Sequence, residues 1–177
     1  MFNEDLTITA GPRSDWFVHP GTREAKLDAP AQLEAIATGD FQLSARVEVD
    51  FAATFDAGVL ALWHDEQTWA KLCFEYSPGG EPMVVSVVTR GVSDDANSTV
   101  IDGNAVWLRI ARIGEAFAFH YSTDGERWNL VRHFALGADG ALQAGFLAQS
   151  PTGNGCTARF THVELTSSTL DDIRSGD

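Results

Sequence analysis

Basic residues are scarce in this chain, as are cysteine, helical periodicity and long apolar runs. Twelve Lys and Arg stand against 25 Asp and Glu, a net charge of −13. Neutralising phosphates needs a basic surface, so nucleic acid is excluded as a partner. An anionic membrane surface is disfavoured for the same reason. No segment approaches the ~20 apolar residues that span a bilayer. The start MFNEDLTITA lacks the basic residues and apolar run of an export signal, so a cytoplasmic location is expected. The two cysteines, Cys73 and Cys156, lie in apolar strand-like segments and are read as buried reduced thiols. The five histidines show neither H-x-H nor H-E-x-x-H spacing. With no G-x-S-x-G and no phosphate-cradling glycine loop either, no metal, cofactor or nucleophilic triad is expected.

What the chain has in abundance is alternation. Leu43, Ala45, Val47, Val49 and Phe51 take one side of a strand, and Ser44, Arg46, Glu48 and Asp50 the other. Ala57 to His64 is apolar on both sides and reads as a central strand. Trp69 to Tyr76 and the valine-rich Met83 to Arg90 flank the turn Ser77-Pro78-Gly79-Gly80-Glu81-Pro82. Val106, Leu108 and Ile110 alternate with Trp107 and Arg109. Phe117, Phe119 and Tyr121 alternate with Ala118, His120 and Ser122. Asp124-Gly125 tolerates the positive φ of a tight turn and introduces Trp128 to Phe134. Leu142 to Gln149 and Cys156 to Thr166 add two more strands. Helix is expected only as a turn or two over Ala31 to Ala37, and over 168–177 as a short helix or a tail. About ten strands with short connections bury their apolar faces most simply in two stacked antiparallel sheets. The expected fold is an all-β jelly-roll sandwich, one domain over residues 1–167.

Several ordered landmarks carry a resemblance. They are Asp15-Trp16-Phe17, Lys71-Leu72-Cys73-Phe74-Glu75, Ser86-Val87-Val88-Thr89-Arg90 with Ser93-Asp94-Asp95, and Trp107-Leu108-Arg109. Phe119 to Gly125 with Trp128, and Gln149-Ser150-Pro151, complete the set. Over roughly residues 10 to 166 the chain resembles the uncharacterised concanavalin A-like family that includes the fungal regulator-of-enolase protein. The resemblance implies a two-sheet jelly roll with a concave sheet, the fold of legume lectins and many glucanases. It implies no reaction. Glucanases of this fold use a Glu-x-Asp-x-x-Glu strand, which this chain lacks; Glu75 stands instead with Lys71 and Cys73.

Along the strand from Trp69 to Tyr76, Ala70, Leu72, Phe74 and Tyr76 form one face. Trp69, Lys71, Cys73 and Glu75 form the other. A lysine and a glutamate four residues apart on a strand have α-carbons ~13 Å apart and need partners on neighbouring strands. Ser86, Arg90, Arg109 and His120 are the candidates, each opposite an apolar face of its own strand. These groups, with Trp69 and Trp107, are expected to line the concave sheet and bind a small-molecule or glycan ligand. Arginine forks and a carboxylate suit hydroxyls, and an indole supplies an apolar floor. The competing expectations are a sugar-active enzyme with Glu75 as acid or base, and a regulatory protein-interaction module of carbohydrate metabolism. Ser93 to Ser98 reads as a polar loop whose Asp and Asn side chains shape the turn. Trp16 reads as a core plug.

Overall fold

The computed structural model describes residues 4–137 and 140–177, so the domain expected over 1–167 is described from residue 4 onward. Fourteen strands run in chain order: β1 Leu6–Thr9, β2 Trp16–Val18, β3 Ala25–Leu27, β4 Ala31–Ile36, β5 Phe41–Val49, β6 Ala57–Asp65, β7 Thr68–Tyr76, β8 Pro82–Arg90, β9 Val92–Val100, β10 Ala105–Ile113, β11 Ala116–Ser122, β12 Asn129–Ala135, β13 Leu142–Gln149 and β14 Thr157–Thr166. Two antiparallel six-stranded sheets result, β1-β14-β5-β10-β11-β12 and β4-β13-β6-β7-β8-β9, with β2-β3 as a separate hairpin.

The two-residue period sorts every long strand between the faces of its sheet. Strand β5 alternates strictly, and Leu43, Ala45, Val47 and Val49 are fully buried against the other sheet. Leu60, Leu62, Leu72, Phe74, Val84 and Val88 meet Leu108, Ile110, Phe119 and Phe160 in that central layer. Strands β6, β7 and β8 are apolar on both faces, which demands a second cover. The β2-β3 hairpin supplies it. Trp16, Val18 and Ala29 pack on Ala57, Val59, Ala61, Trp69, Cys73, Val85, Val87 and Leu147 in a second apolar cluster. Trp16 is the plug expected of it, with its ring 4.8 Å from Trp63 and 5.9 Å from Trp69, and its indole N–H donating to the Ala29 carbonyl.

Two short segments depart from expectation. Residues 31–36 are strand β4, not helix, because pairing with β13 (Leu33 opposite Gly145) outweighs the modest helix preference of Ala, Gln, Leu and Glu. Residues 93–98 lie within edge strand β9, not a loop. Ser93, Asp95 and Asn97 pair with Thr89, Val87 and Val85. Acidic side chains along an exposed edge discourage pairing with another chain, which accounts for a strand of such low apolar content.

The tail 168–177 forms no helix. It folds back over the outer face of the first sheet, where Leu170 is buried and the Ile173 and Gly176 carbonyls accept hydrogen bonds from His120 and Arg109. At the β11–β12 turn, the Asp124 carboxylate accepts from the backbone N–H of Arg127 and Glu126 and from the Ser122 hydroxyl. Those donors hold its pKa down to about 2.

The two sheets approach tightly at Gly58, where a Cβ would lie 2.6 Å from Val47 Cγ1 and 2.9 Å from Ala158 Cβ. Gly58→Ala is expected to destabilise the protein by about 1–3 kcal/mol, read from the urea midpoint, because both neighbours belong to a closed core.

Candidate functional site

The outer face of the second sheet is only partly covered by the β2-β3 hairpin. Beside the hairpin a cleft of about 260 Å³ stays open, lined by Asp15, Lys71, Glu75, Asp95, Asn97 and Gln149, with Phe17, Phe55, Met83 and Val87 among its apolar walls. Five elements build it. Strand β7 sends Lys71 and Glu75 to this face through its two-residue period, and β9 sends Asp95 and Asn97 by the same rule. Gln149 ends β13 opposite Ala57, which itself stands opposite Glu75 across β6. Asp15 precedes β2 and is fixed by its backbone. Its N–H donates to Asp28 Oδ1, and its carbonyl accepts from the N–H of Asp28 and Ala29.

The centre of the cleft is a buried lysine. Lys71 is 2% exposed, and its Nζ donates to Gln149 Oε1 at 2.8 Å and to Asp15 Oδ1 at 3.3 Å. Gln149 turns its Nε2 to the Phe55 carbonyl at 3.3 Å and to Glu75 Oε2 at 3.4 Å. Burial opposes the lysine's charge, but the Asp15 carboxylate and its neighbours outweigh that, so its pKa lies above the ordinary lysine range. Glu75 goes the other way. Burial pushes its pKa up to about 8 against the pull of Lys71, and Asp95 and Asp15 push in the same direction. Asp95 is also raised, first by partial burial. At neutral pH the site therefore holds a charged ammonium beside a protonated glutamic acid. Cys73 lies between them on the strand as a buried thiol, raised far out of the reactive range by burial, and Cys156 is likewise free and buried.

Of the eight residues expected on this face, three are there. Lys71 and Glu75 line the cleft. Trp69 shares their face but is fully buried beneath Trp16 and presents no surface to a ligand. Ser86 and Arg90 project to the opposite face, because they are one residue out of phase with Val85 and Val87. Ser86 accepts a bond from Arg132, and Arg90 donates to the Ala135 carbonyl at the end of β12. Trp107, Arg109 and His120 belong to the first sheet and face outward on the far side of the molecule. Their parity was read correctly, but parity within a strand does not say which sheet the strand joins. There Arg109 stacks on Trp128 at 4.2 Å, and burial lowers the His120 pKa to about 4.

Asp15, Phe17, Phe55, Asp95, Asn97 and Gln149 are among the cleft residues absent from that expectation. Asp95 and Asn97 had a legible signal, the two-residue alternation from Ser93 to Asn97. The others reach the cleft from loops and strand ends far apart in sequence, which no local pattern reports. Glu48 and Asp50, the pair with glucanase-like spacing, are held by Arg159 in surface ion pairs at 3.6 and 2.8 Å. Among the described residues, no group of His, Cys, Asp and Glu is placed to hold a metal ion. Nor, among the described residues, is any helix long and apolar enough to cross a membrane.

Two stacked antiparallel sheets, one of them carrying a roofed and clefted outer face, define a concanavalin A-like jelly roll. The chain belongs to the family described as "Protein of unknown function (DUF1349)", which it matches over residues 2–168. It is similar to a functionally unknown protein from Saccharomyces cerevisiae, with a TM-score of 0.83 and 21% identity over 96% of this chain and 92% of that one. It is also similar to a GH43 protein from Bacillus licheniformis, with a TM-score of 0.75 and 15% identity over 93% of this chain and 33% of that one. A xylan beta-1,4-xylosidase from Bacillus halodurans matches with a TM-score of 0.73 and 13% identity, over 92% of this chain and 32% of that one. The chain thus spans about a third of those two longer proteins, and identities this low speak for the fold alone. No curated protein matches the chain. The expected link to a regulator of enolase is not carried by these matches.

The raised Glu75 pKa ties stability to pH. Its folded pKa of about 8 exceeds the ordinary glutamate value of 4.5, so its contribution is complete below 4.5 and is lost as pH rises toward 8. Glu75→Gln, neutral at every pH, is expected to match the wild type in urea midpoint near pH 5 and to exceed it at pH 8.5. Equal midpoints at both pH values would show that the carboxyl is not perturbed.

Proposed function

We propose that the Lys71–Glu75 cleft binds a carbohydrate or related polyhydroxylated small molecule. The observation that carries this reading is the buried Lys71 ammonium, which donates to Gln149 and Asp15 and lies in the wall of an open cleft. A sugar hydroxyl is the neutral acceptor and donor such a group can use. The Asp95 and Asn97 side chains are available to take the hydroxyl hydrogens. Phe17 and Phe55 offer apolar walls for the C–H faces of a ring. Phe55 is 36% exposed and held at φ 71°, an uncommon backbone state for an aromatic residue. The fold's occurrence in a xylan beta-1,4-xylosidase supports the same class of ligand by analogy.

A second reading is favoured by Glu75 itself. A carboxylic acid still protonated at neutral pH, with Asp15 and Asp95 in the same cleft, is equipped to give a proton to a leaving glycosidic oxygen while a carboxylate faces the sugar. This makes the protein a sugar-active enzyme with Glu75 as the acid.

One series of measurements tests both. Thermal shift against neutral pentoses, hexoses and their short oligomers is expected to raise the melting temperature by roughly 5–10 °C at about a hundred times Kd. Gln149→Ala and Phe17→Ala are expected to remove most of that shift for the same sugar. A panel without any shift, or shifts that survive both substitutions, contradicts the cleft as a sugar site. Release of product from aryl glycosides, abolished by Glu75→Gln while binding persists, selects the enzyme reading; binding without turnover selects the first.

A further inference from the structure

The charges around the cleft are unbalanced, and that imbalance bears on which sugars enter. Lys71 is the lone cation among the described lining residues, and its ammonium is already shared between Asp15 and Gln149. Three acidic side chains line the same space: Asp15, Glu75 and Asp95. Arg132, next to Asp95 through its ion pair with Asp94 at 3.0 Å, is also engaged with the Asp94 carbonyl and Ser86 hydroxyl. It is not among the residues that line the cleft, although its charge acts on Asp95 from behind. The remainder of the chain reinforces the sign, with a net charge of −13. Anions therefore meet an unfavourable potential on approach and no unspent cation on arrival.

The same surroundings suit a positive group. Phe17 and Phe55 line the cleft beside the acids, and an aromatic ring attracts an ammonium through the negative face of its π-system. Glu75 Oε2 receives one long bond from Gln149 at 3.4 Å, which leaves most of the carboxyl's accepting capacity open. Asp95 is exposed at the mouth of the cleft on edge strand β9. A protonated amine seated between Glu75 and Asp95, with its carbon skeleton against the phenylalanines, satisfies both carboxyls without disturbing the Lys71–Asp15 pair.

We infer that this cleft selects by charge, preferring a sugar that carries a protonated amine over its neutral counterpart and excluding sugars that carry a carboxylate. The inference rests on the carbohydrate reading above and narrows its ligand class to amino sugars. A raised Glu75 pKa fits it, since a carboxyl kept protonated first by burial and then by neighbouring acids is one that a cation would re-ionise.

Four probes of one ring size separate the possibilities: glucose, glucosamine, glucuronate and cyclohexylamine, titrated calorimetrically at pH 6.5. Glucosamine is expected to bind about tenfold more tightly than glucose, and glucuronate not to bind. Glu75→Gln combined with Asp95→Asn is expected to bring the ratio of glucosamine to glucose affinity from about ten to about one, whatever the change in glucose affinity itself. Glucuronate binding as tightly as glucosamine, or glucosamine no tighter than glucose, overturns the charge selection and leaves the sugar reading intact. Cyclohexylamine binding as tightly as glucosamine, with glucose inert, overturns the sugar reading and supports the ammonium preference. Silence from all four overturns both.

Discussion

A single buried ammonium organises this side of the molecule. Lys71 stands in an interior strand of a sheet whose outer face is apolar beneath the hairpin, and a buried charge there is tolerated only with partners. Its two partners come from opposite ends of the chain, Asp15 before β2 and Gln149 at the end of β13. The ion pair therefore does more than neutralise a charge. It draws the β2-β3 hairpin onto the sheet, where Trp16 closes over Trp63 and Trp69. A further tie at the other end of the hairpin, from the Val18 N–H to the Ser93 hydroxyl, which also contacts Thr89, holds the cover in register. The cleft is the part of the face that this cover leaves open.

The same arrangement separates two kinds of acid. Asp15 is spent on the lysine, whereas Glu75, four residues along the strand, meets Lys71 only through Gln149. Burial without a direct counter-charge keeps Glu75 protonated at neutral pH, and Asp95 at the rim is raised less. The chemistry of the cleft follows from these unequal environments on one scaffold. The other sheet's outer face carries a different cleft, lined by Gln42, Ser44, Trp107, Arg109, Trp128 and Glu164. There the tail 168–177 supplies backbone carbonyls to Arg109 and His120, and the polar groups serve to fasten the tail. Among the described residues, Phe55 and Val100 are the exposed large hydrophobics, and Phe55 belongs to the cleft.

Much of this architecture was legible in the residues. The alternation of β5, β7, β10 and β11 placed their inward and outward sides correctly, because the pleat ties side chain to face without reference to the rest of the fold. Lys71 and Glu75 were assigned to one face by that rule alone. The failures have one cause. Alternation fixes which residues share a face of their own strand and leaves open which sheet, and which side of it, that face joins. Arg109 and His120 alternate as cleanly as Lys71 and Glu75, yet their strands belong to the other sheet. Ser86 and Arg90 failed by one residue of register, the smallest error that inverts a strand. Asp15, Phe55 and Gln149 are set by tertiary approach and carry no periodic mark.

The account stands or falls on the state of the Lys71 side chain, and nitrogen NMR of its Nζ reads that state directly. A slowly exchanging ammonium signal is expected, persisting to higher pH than an ordinary lysine and moving on addition of a neutral sugar. An amine that loses its proton at or below the ordinary lysine range, or an ammonium that ignores a sugar bound elsewhere, would contradict it.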